Sequence, residues 1–154
     1  MELLLKHLNK YTYTMTKLHD NISPLDSRYA AKIESTRLIF SEANLIKIRF
    51  EIEIDWLVYL CKKLPNKFPN ISNNSLKKIL NFKNSFNEKS VSAIKKIELK
   101  TNHDVKAVEY YIRDFFLKDK VLSKYINLIH FGLTSEDLNS LSYAVIIKSG
   151  ISDH

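Results

Sequence analysis

In Lys47-Ile48-Arg49-Phe50-Glu51-Ile52-Glu53-Ile54-Asp55 helix and strand compete for the same residues, and the outcome sets the fold class. The strict alternation of charged and apolar side chains is the period of a half-buried strand. Three features oppose a strand. No Gly or Pro occurs from residue 36 to residue 64, and a run of that length far exceeds a usual strand. Lys47 and Glu51, like Arg49 and Glu53, are opposite charges at the i,i+4 spacing of a helix. Trp56, Leu57, Leu60 and Leu64 crowd more than one face, as they do in a deeply buried helix. The segment reads as a helix, and with it the chain reads as all-α.

Working outward, the pattern stays helical. Two glycines and three prolines in 154 residues leave few tight turns and favour long helices. Pro65 and Pro69 bracket a loop. Helices are expected over 74–87 (Leu76, Ile79, Leu80, Phe86), over 90–100 (Val91, Ile94, Ile97), and from His103 to near Lys118 on Val105, Val108, Ile112 and Phe115. Leu122, Ile126 and Ile129 mark another over 121–130. Gly132 breaks the pattern, and a last helix carries Leu138, Leu141 and Val145. Thr101 with Asp104, and Thr134 with Asp137, each fit a loose capping box, so two helix starts are expected there. Helix starts offer free N–H groups and a positive dipole end to an anion.

Composition narrows the function classes. An apolar fraction of 45% suits one globular domain with a real core at this length. The single cysteine, Cys61, excludes an internal disulfide and fits a reducing cytoplasm. No apolar run approaches a membrane span. The net charge of +7 comes from lysines dispersed over 62–124. A nucleic-acid interface calls for a stripe on one face, so the dispersal reads as a solvated basic surface that would also steer an anionic substrate. His7, His19, His103, His130 and His154 form no pair at metal-ligand spacing, and neither a Gly-rich phosphate loop nor a serine nucleophile elbow is present. What remains is His103 and His130, each beside a helix start, and a turn at Ser23–Tyr29 that presents Arg28 as a forked donor backed by Tyr29. Together these look like parts of a pocket for a multiply anionic ligand.

Four blocks carry a resemblance: Ser23-Pro24-Leu25-Asp26-Ser27-Arg28-Tyr29, Ile39-Phe40-Ser41-Glu42, Thr101-Asn102-His103-Asp104-Val105-Lys106-Ala107-Val108-Glu109-Tyr110, and Ile129-His130-Phe131-Gly132-Leu133-Thr134-Ser135-Glu136-Asp137-Leu138-Asn139. In order and approximate spacing they resemble the start of bacterial adenylosuccinate lyase, from about Met15 to Lys148. The Thr-Ser-Glu-Asp block is shared across the fumarase/aspartase superfamily; the first and third blocks narrow the resemblance to this enzyme.

The resemblance implies an all-helical N-terminal domain over 16–132, after a leader at 1–15, with the start of the first long central-bundle helix at 133–154. It implies β-elimination of fumarate from adenylosuccinate and from the succinylated carboxamide ribotide of purine synthesis. The implied enzyme is a cytoplasmic homotetramer with no metal, cofactor or nucleic acid. Arg28 and Tyr29 would contact the substrate phosphate, Asn102, His103 and Asp104 would line the pocket, and Thr134 and Ser135 would hold a succinyl carboxylate. His103 would assist acid catalysis, and His130 matches a further site histidine. The family's Thr-His-Gly-Gln segment and its serine-bearing loop have no match before His154, so the expectation is an N-terminal portion inactive by itself. The alternatives are another lyase of the superfamily, such as argininosuccinate lyase, or a basic helical binding module.

Overall fold

The computed structural model describes residues 23–152, so the leader expected at 1–15 lies outside the described residues. The chain divides into two compact units, Met1–Arg37 and Leu38–His154. In the first, short 3-10 turns at Pro24–Asp26 and Ala30–Lys32 lead into helix α1, Glu34–Phe40, whose last three residues already belong to the second unit. The Ser23 hydroxyl accepts from the Leu25 N–H at 3.2 Å. Arg37 closes the turn by donating to the Leu25 carbonyl at 2.9 Å and pairing with Asp26 at 3.5 Å.

The second unit is built around α2, Glu42–Lys63. Ser41 caps it, accepting from the Asn44 N–H at 3.2 Å. It ends at Leu64, because Pro65 cannot supply the next N–H. Around it stand α3 (Asn73–Asn84), α4 (Glu88–Thr101), α5 (Asp104–Leu117), a 3-10 segment at Ser123–Leu128 and α6 (Ser135–Ser152). No strand occurs among the described residues. The fold is all-α.

The alternating stretch is helical because α2 is buried on more than one side. Ile46, Phe50, Ile54, Leu57 and Cys61, spaced by three and four, enter the main core with Ile79 and Phe82 of α3, Ile94 of α4 and Val108, Ile112 and Phe116 of α5. Phe82 packs edge-on to Phe50 at 5.1 Å between centroids and stacks on Phe115 at 3.6 Å. The edge-on pair suits the ring quadrupoles. The second side of α2 carries Arg49 and Glu53, both buried.

Two local expectations change. The segment expected as a helix over 121–130 is a 3-10 run, Ser123–Leu128. Its buried residues, Leu122, Tyr125 and Leu128, recur every third position, which is the 3-10 period and not the α period. Asp119 starts it by accepting from the Val121 N–H at 2.7 Å. In α6 the buried stripe is Leu138, Ser142, Ile146 and Gly150, while Leu141 and Val145 are exposed. Small residues let this helix lie close to its neighbours: a Cβ on Gly150 would meet the Phe40 ring at 2.6 Å.

Candidate functional site

The two helix starts singled out in the sequence are real, and each is capped by its own residues. At α5 the cap is His103, not Thr101. Its Nδ1 accepts from the Lys106 N–H at 3.2 Å, while Thr101 is the last residue of α4 and donates to the Ile97 carbonyl at 3.2 Å. Asn102 links the helices in a left-handed conformation, φ 51°, which Asn tolerates better than most residues. Asp104 accepts from the Val105 N–H at 2.8 Å. The free N–H groups of this start are therefore partly engaged, and the half-exposed His103 ring stands beside it.

At α6 the capping box holds as expected. The Thr134 hydroxyl accepts from the Asp137 N–H at 3.1 Å, and the Asp137 carboxylate accepts from the Thr134 N–H at 2.7 Å. Those Thr134 donors, with some opposition from desolvation, hold the Asp137 carboxyl below the usual carboxylate range. Ser135 opens the helix, and its hydroxyl has no hydrogen-bond partner among the described residues.

One face of α2 joins these pieces. Arg49, Glu53 and Trp56 follow one another at i, i+4 and i+7, so they project from the same side. Arg49, 4% exposed, donates from Nη1 to Asp104 at 2.8 Å and from Nη2 to the Asn139 amide oxygen at 2.7 Å. A single guanidinium thus ties the start of α5 to the second turn of α6. Its Nε has no partner among the described residues, a cost of about 1–3 kcal/mol for a buried donor. Burial of the Asp104 carboxyl works against its ionisation, but the Val105 N–H and Arg49 prevail and lower its pKa.

Glu53, 1% exposed, accepts the His130 backbone N–H at 3.0 Å and meets the His130 Nδ1 at 2.5 Å. Burial raises the Glu53 pKa, against the pull of both His130 contacts. Trp56 donates to the Phe131 carbonyl at 2.8 Å. The held segment is unusual backbone: His130 has φ 61° and Gly132 φ 70°, a conformation that needs support at a residue such as His.

Thus Asn102, His103, Asp104, His130, Thr134 and Ser135 all lie on segments anchored to one helix. Arg28 and Tyr29 belong to the first unit, where both are exposed and the guanidinium lies 5.4 Å from the Tyr29 ring centroid, within cation–π range.

Comparison with known proteins bears on all four sequence blocks. The chain is 41% identical over 140 residues to the adenylosuccinate lyase of Legionella pneumophila (strain Corby), covering 90% of this chain and 30% of that one. It is 40% identical over 133 residues to that of Buchnera aphidicola subsp. Schizaphis graminum, with 83% and 28% covered. It is 39% identical over 129 residues to that of Escherichia coli (strain K12), again with 83% and 28% covered. Over most of its own length the chain is similar to adenylosuccinate lyases. It spans about 30% of the length of the curated relatives it matches, and no protein-family model matches it. These relatives favour the lyase reading over argininosuccinate lyase or a basic binding module.

Sequence reasoning missed the residues that support the adenylosuccinate lyase motifs. Arg49 and Glu53 read as an i,i+4 charge pair, as Lys47 and Glu51 are at 3.8 Å. Instead each leaves the helix for a different motif, Arg49 for Asp104 and Glu53 for His130. The available signal was their position: two charges inside a Gly- and Pro-free helix whose other residues are needed for the core. Among the described residues no cluster of His, Cys, Asp or Glu could hold a metal, and no helix is long and apolar enough to cross a membrane.

Proposed function

We propose that this chain supplies one wall of an adenylosuccinate lyase site. The observation that carries the reading is the identity of about 40% to adenylosuccinate lyases over most of the chain. The anchoring of the matched motif segments to one face of α2 supports it. The reaction removes a proton from the carbon next to a succinyl carboxylate. The electrons form the fumarate double bond, the C–N bond breaks, and the leaving nitrogen takes a proton, giving AMP from adenylosuccinate. The succinylated carboxamide ribotide reacts by the same steps.

Charge that builds on the carboxylate needs preorganised donors, a role for Thr134 and Ser135 at the α6 start. The Ser135 hydroxyl is available for it, and Thr134 takes part by turning its hydroxyl from Asp137 to the substrate. Asn102, His103 and Asp104 line the pocket, with His103 assisting proton delivery to the leaving nitrogen. Arg28 and Tyr29 take the phosphate. By family resemblance, the principal acid histidine and the base-bearing loop lie in sequence beyond these matched blocks, so the 154-residue polypeptide by itself does not turn over. We read 16–132 as an N-terminal helical domain and 133–154 as the beginning of the central bundle. The exposed Leu141 and Val145 on one flank of the buried α6 stripe, and Tyr143, Ile147 and Ile151 on the other, are apolar surface of the kind that packs into an assembly, consistent with a cytoplasmic homotetramer.

The test follows AMP release from adenylosuccinate. The expected result is no turnover by this chain, activity when it is mixed with a polypeptide carrying the remaining family segments, and a loss of about 10²-fold or more for Arg28→Ala or His103→Ala in that mixture. Turnover by the chain alone, or wild-type rates for both variants, would overturn the assignment.

A further inference from the structure

We propose that Glu53 is a positioning residue that fixes the tautomer of His130: Nδ1 carries the proton toward Glu53, and Nε2 is left as the working nitrogen. The geometry asks for this arrangement. Glu53 is buried and receives two groups from one residue, the His130 backbone N–H at 3.0 Å on Oε2 and Nδ1 at 2.5 Å on Oε1. The backbone N–H can only donate. An ionised Glu53 accepts on both oxygens, so the second contact is satisfied when Nδ1 also donates. A protonated Glu53 would instead donate from Oε1 to Nδ1 and leave the ring proton on Nε2, the opposite tautomer that the experiment below separates. The double hold fixes the ring and also maintains the left-handed backbone at His130.

Nε2 has no hydrogen-bond partner among the described residues, and the His130 side chain keeps 17% of its surface exposed. With Nδ1 occupied, a neutral His130 presents an acceptor at Nε2, and a protonated one presents a donor there. The other charges facing the pair are Glu109 of α5, which acts on Glu53, and Asp137 of α6, which acts on His130. Neither competes for Nδ1. A buried carboxylate that sets which imidazole nitrogen is free is a known catalytic device. Assigning the free Nε2 to substrate rests on the lyase reading above. The tautomer does not.

The experiment is nitrogen-15 NMR of the imidazole in the 154-residue chain without substrate, with the His130 signals assigned by their loss in His130→Asn. On raising the pH, wild type is expected to lose its imidazole proton from Nε2 and retain Nδ1–H. Glu53→Gln, nearly isosteric, has only one acceptor oxygen. If that oxygen keeps the backbone N–H, its NH₂ faces Nδ1 and donates to it, so the neutral ring is expected to move its proton to Nε2. A wild-type ring that deprotonates at Nδ1 overturns the proposal, whichever way the amide settles in Glu53→Gln. Should the variant not fold, the wild-type measurement still decides. A wrong tautomer leaves the lyase reading standing, and failed turnover with the right tautomer does the reverse.

Discussion

Removing either partner of the Arg49–Asp104 pair should have very different consequences. Arg49 is 4% exposed, while the Asp104 side chain is 48% exposed. In Asp104→Ala a buried guanidinium keeps only the neutral Asn139 oxygen, and its unpartnered Nε is already a liability. Stranding one member of a buried pair costs about 3–5 kcal/mol. Partial access of water to the Asp104 position lowers that, so about 2 kcal/mol is expected. In Arg49→Met the half-exposed Asp104 is solvated, the methionine fills the apolar volume, and the orphaned donor disappears. Exchanging a buried ion for an apolar side chain is often neutral or stabilising, so the change should stay within about 1 kcal/mol. The assay is urea unfolding followed by helical circular dichroism, with free energies from the linear extrapolation. In the Arg49→Met background, Asp104→Ala should then lose most of its cost, because the charge it strands is gone. If Asp104→Ala costs the same in both backgrounds, or if Arg49→Met alone costs more than about 3 kcal/mol, the guanidinium is not held as described.

Two further outcomes are expected. The lowered Asp104 pKa means that its contribution to stability is complete above the ordinary carboxyl value of about 3.9 and is lost as pH falls through the lower folded value; acid unfolding of Asp104→Asn should therefore lack part of the wild-type loss in that window, and an identical acid profile would contradict the pairing. Gly132 has φ 70° with open space around its Cβ position, so Gly132→Ala should cost about 1 kcal/mol from backbone strain alone, with Gly132→Asn costing less; a denaturant melt showing the opposite order would refute a strain origin.

Much of the architecture was legible because it depends on local pattern. The Gly- and Pro-free run, the periodicity after His103 and the Thr134–Asp137 box each encode their element in neighbouring residues. The segment at 121–130 was misread because Leu122, Ile126 and Ile129 fit an α stripe on paper; packing buries Leu122 and Ile129 but also Tyr125 and Leu128, which that stripe leaves out. The α6 stripe was misread for a related reason: burial went to Ser142 and Gly150, which no hydrophobicity pattern marks. His103 as its own cap was hidden by Thr101, a better capping residue placed where the preceding helix still continues. Arg49 and Glu53 could be seen as charges, but their partners lie 55 and 77 positions away in sequence, beyond the reach of any local rule.

That misreading also explains the alternation in 47–55. Ile48, Phe50 and Ile54 are buried by packing, yet Arg49 and Glu53 are buried as deeply. The solvent face is only Lys47, Glu51 and Asp55, at i,i+4, and the strand period is a coincidence of that face with two buried sides on one helix. Burying these charges stabilises little, since desolvation offsets most of what the pairs contribute. What they add is registry. Arg49 sets the start of α5 against α6, and one turn later Glu53 sets His130 against the same helix. An apolar α2 could fill the same volume, but it would have no means of specifying the placement of Asp104 or of choosing a nitrogen of His130. The second side of α2 therefore serves the site more than the core, and its substitutions should affect geometry and tautomer before they affect folding.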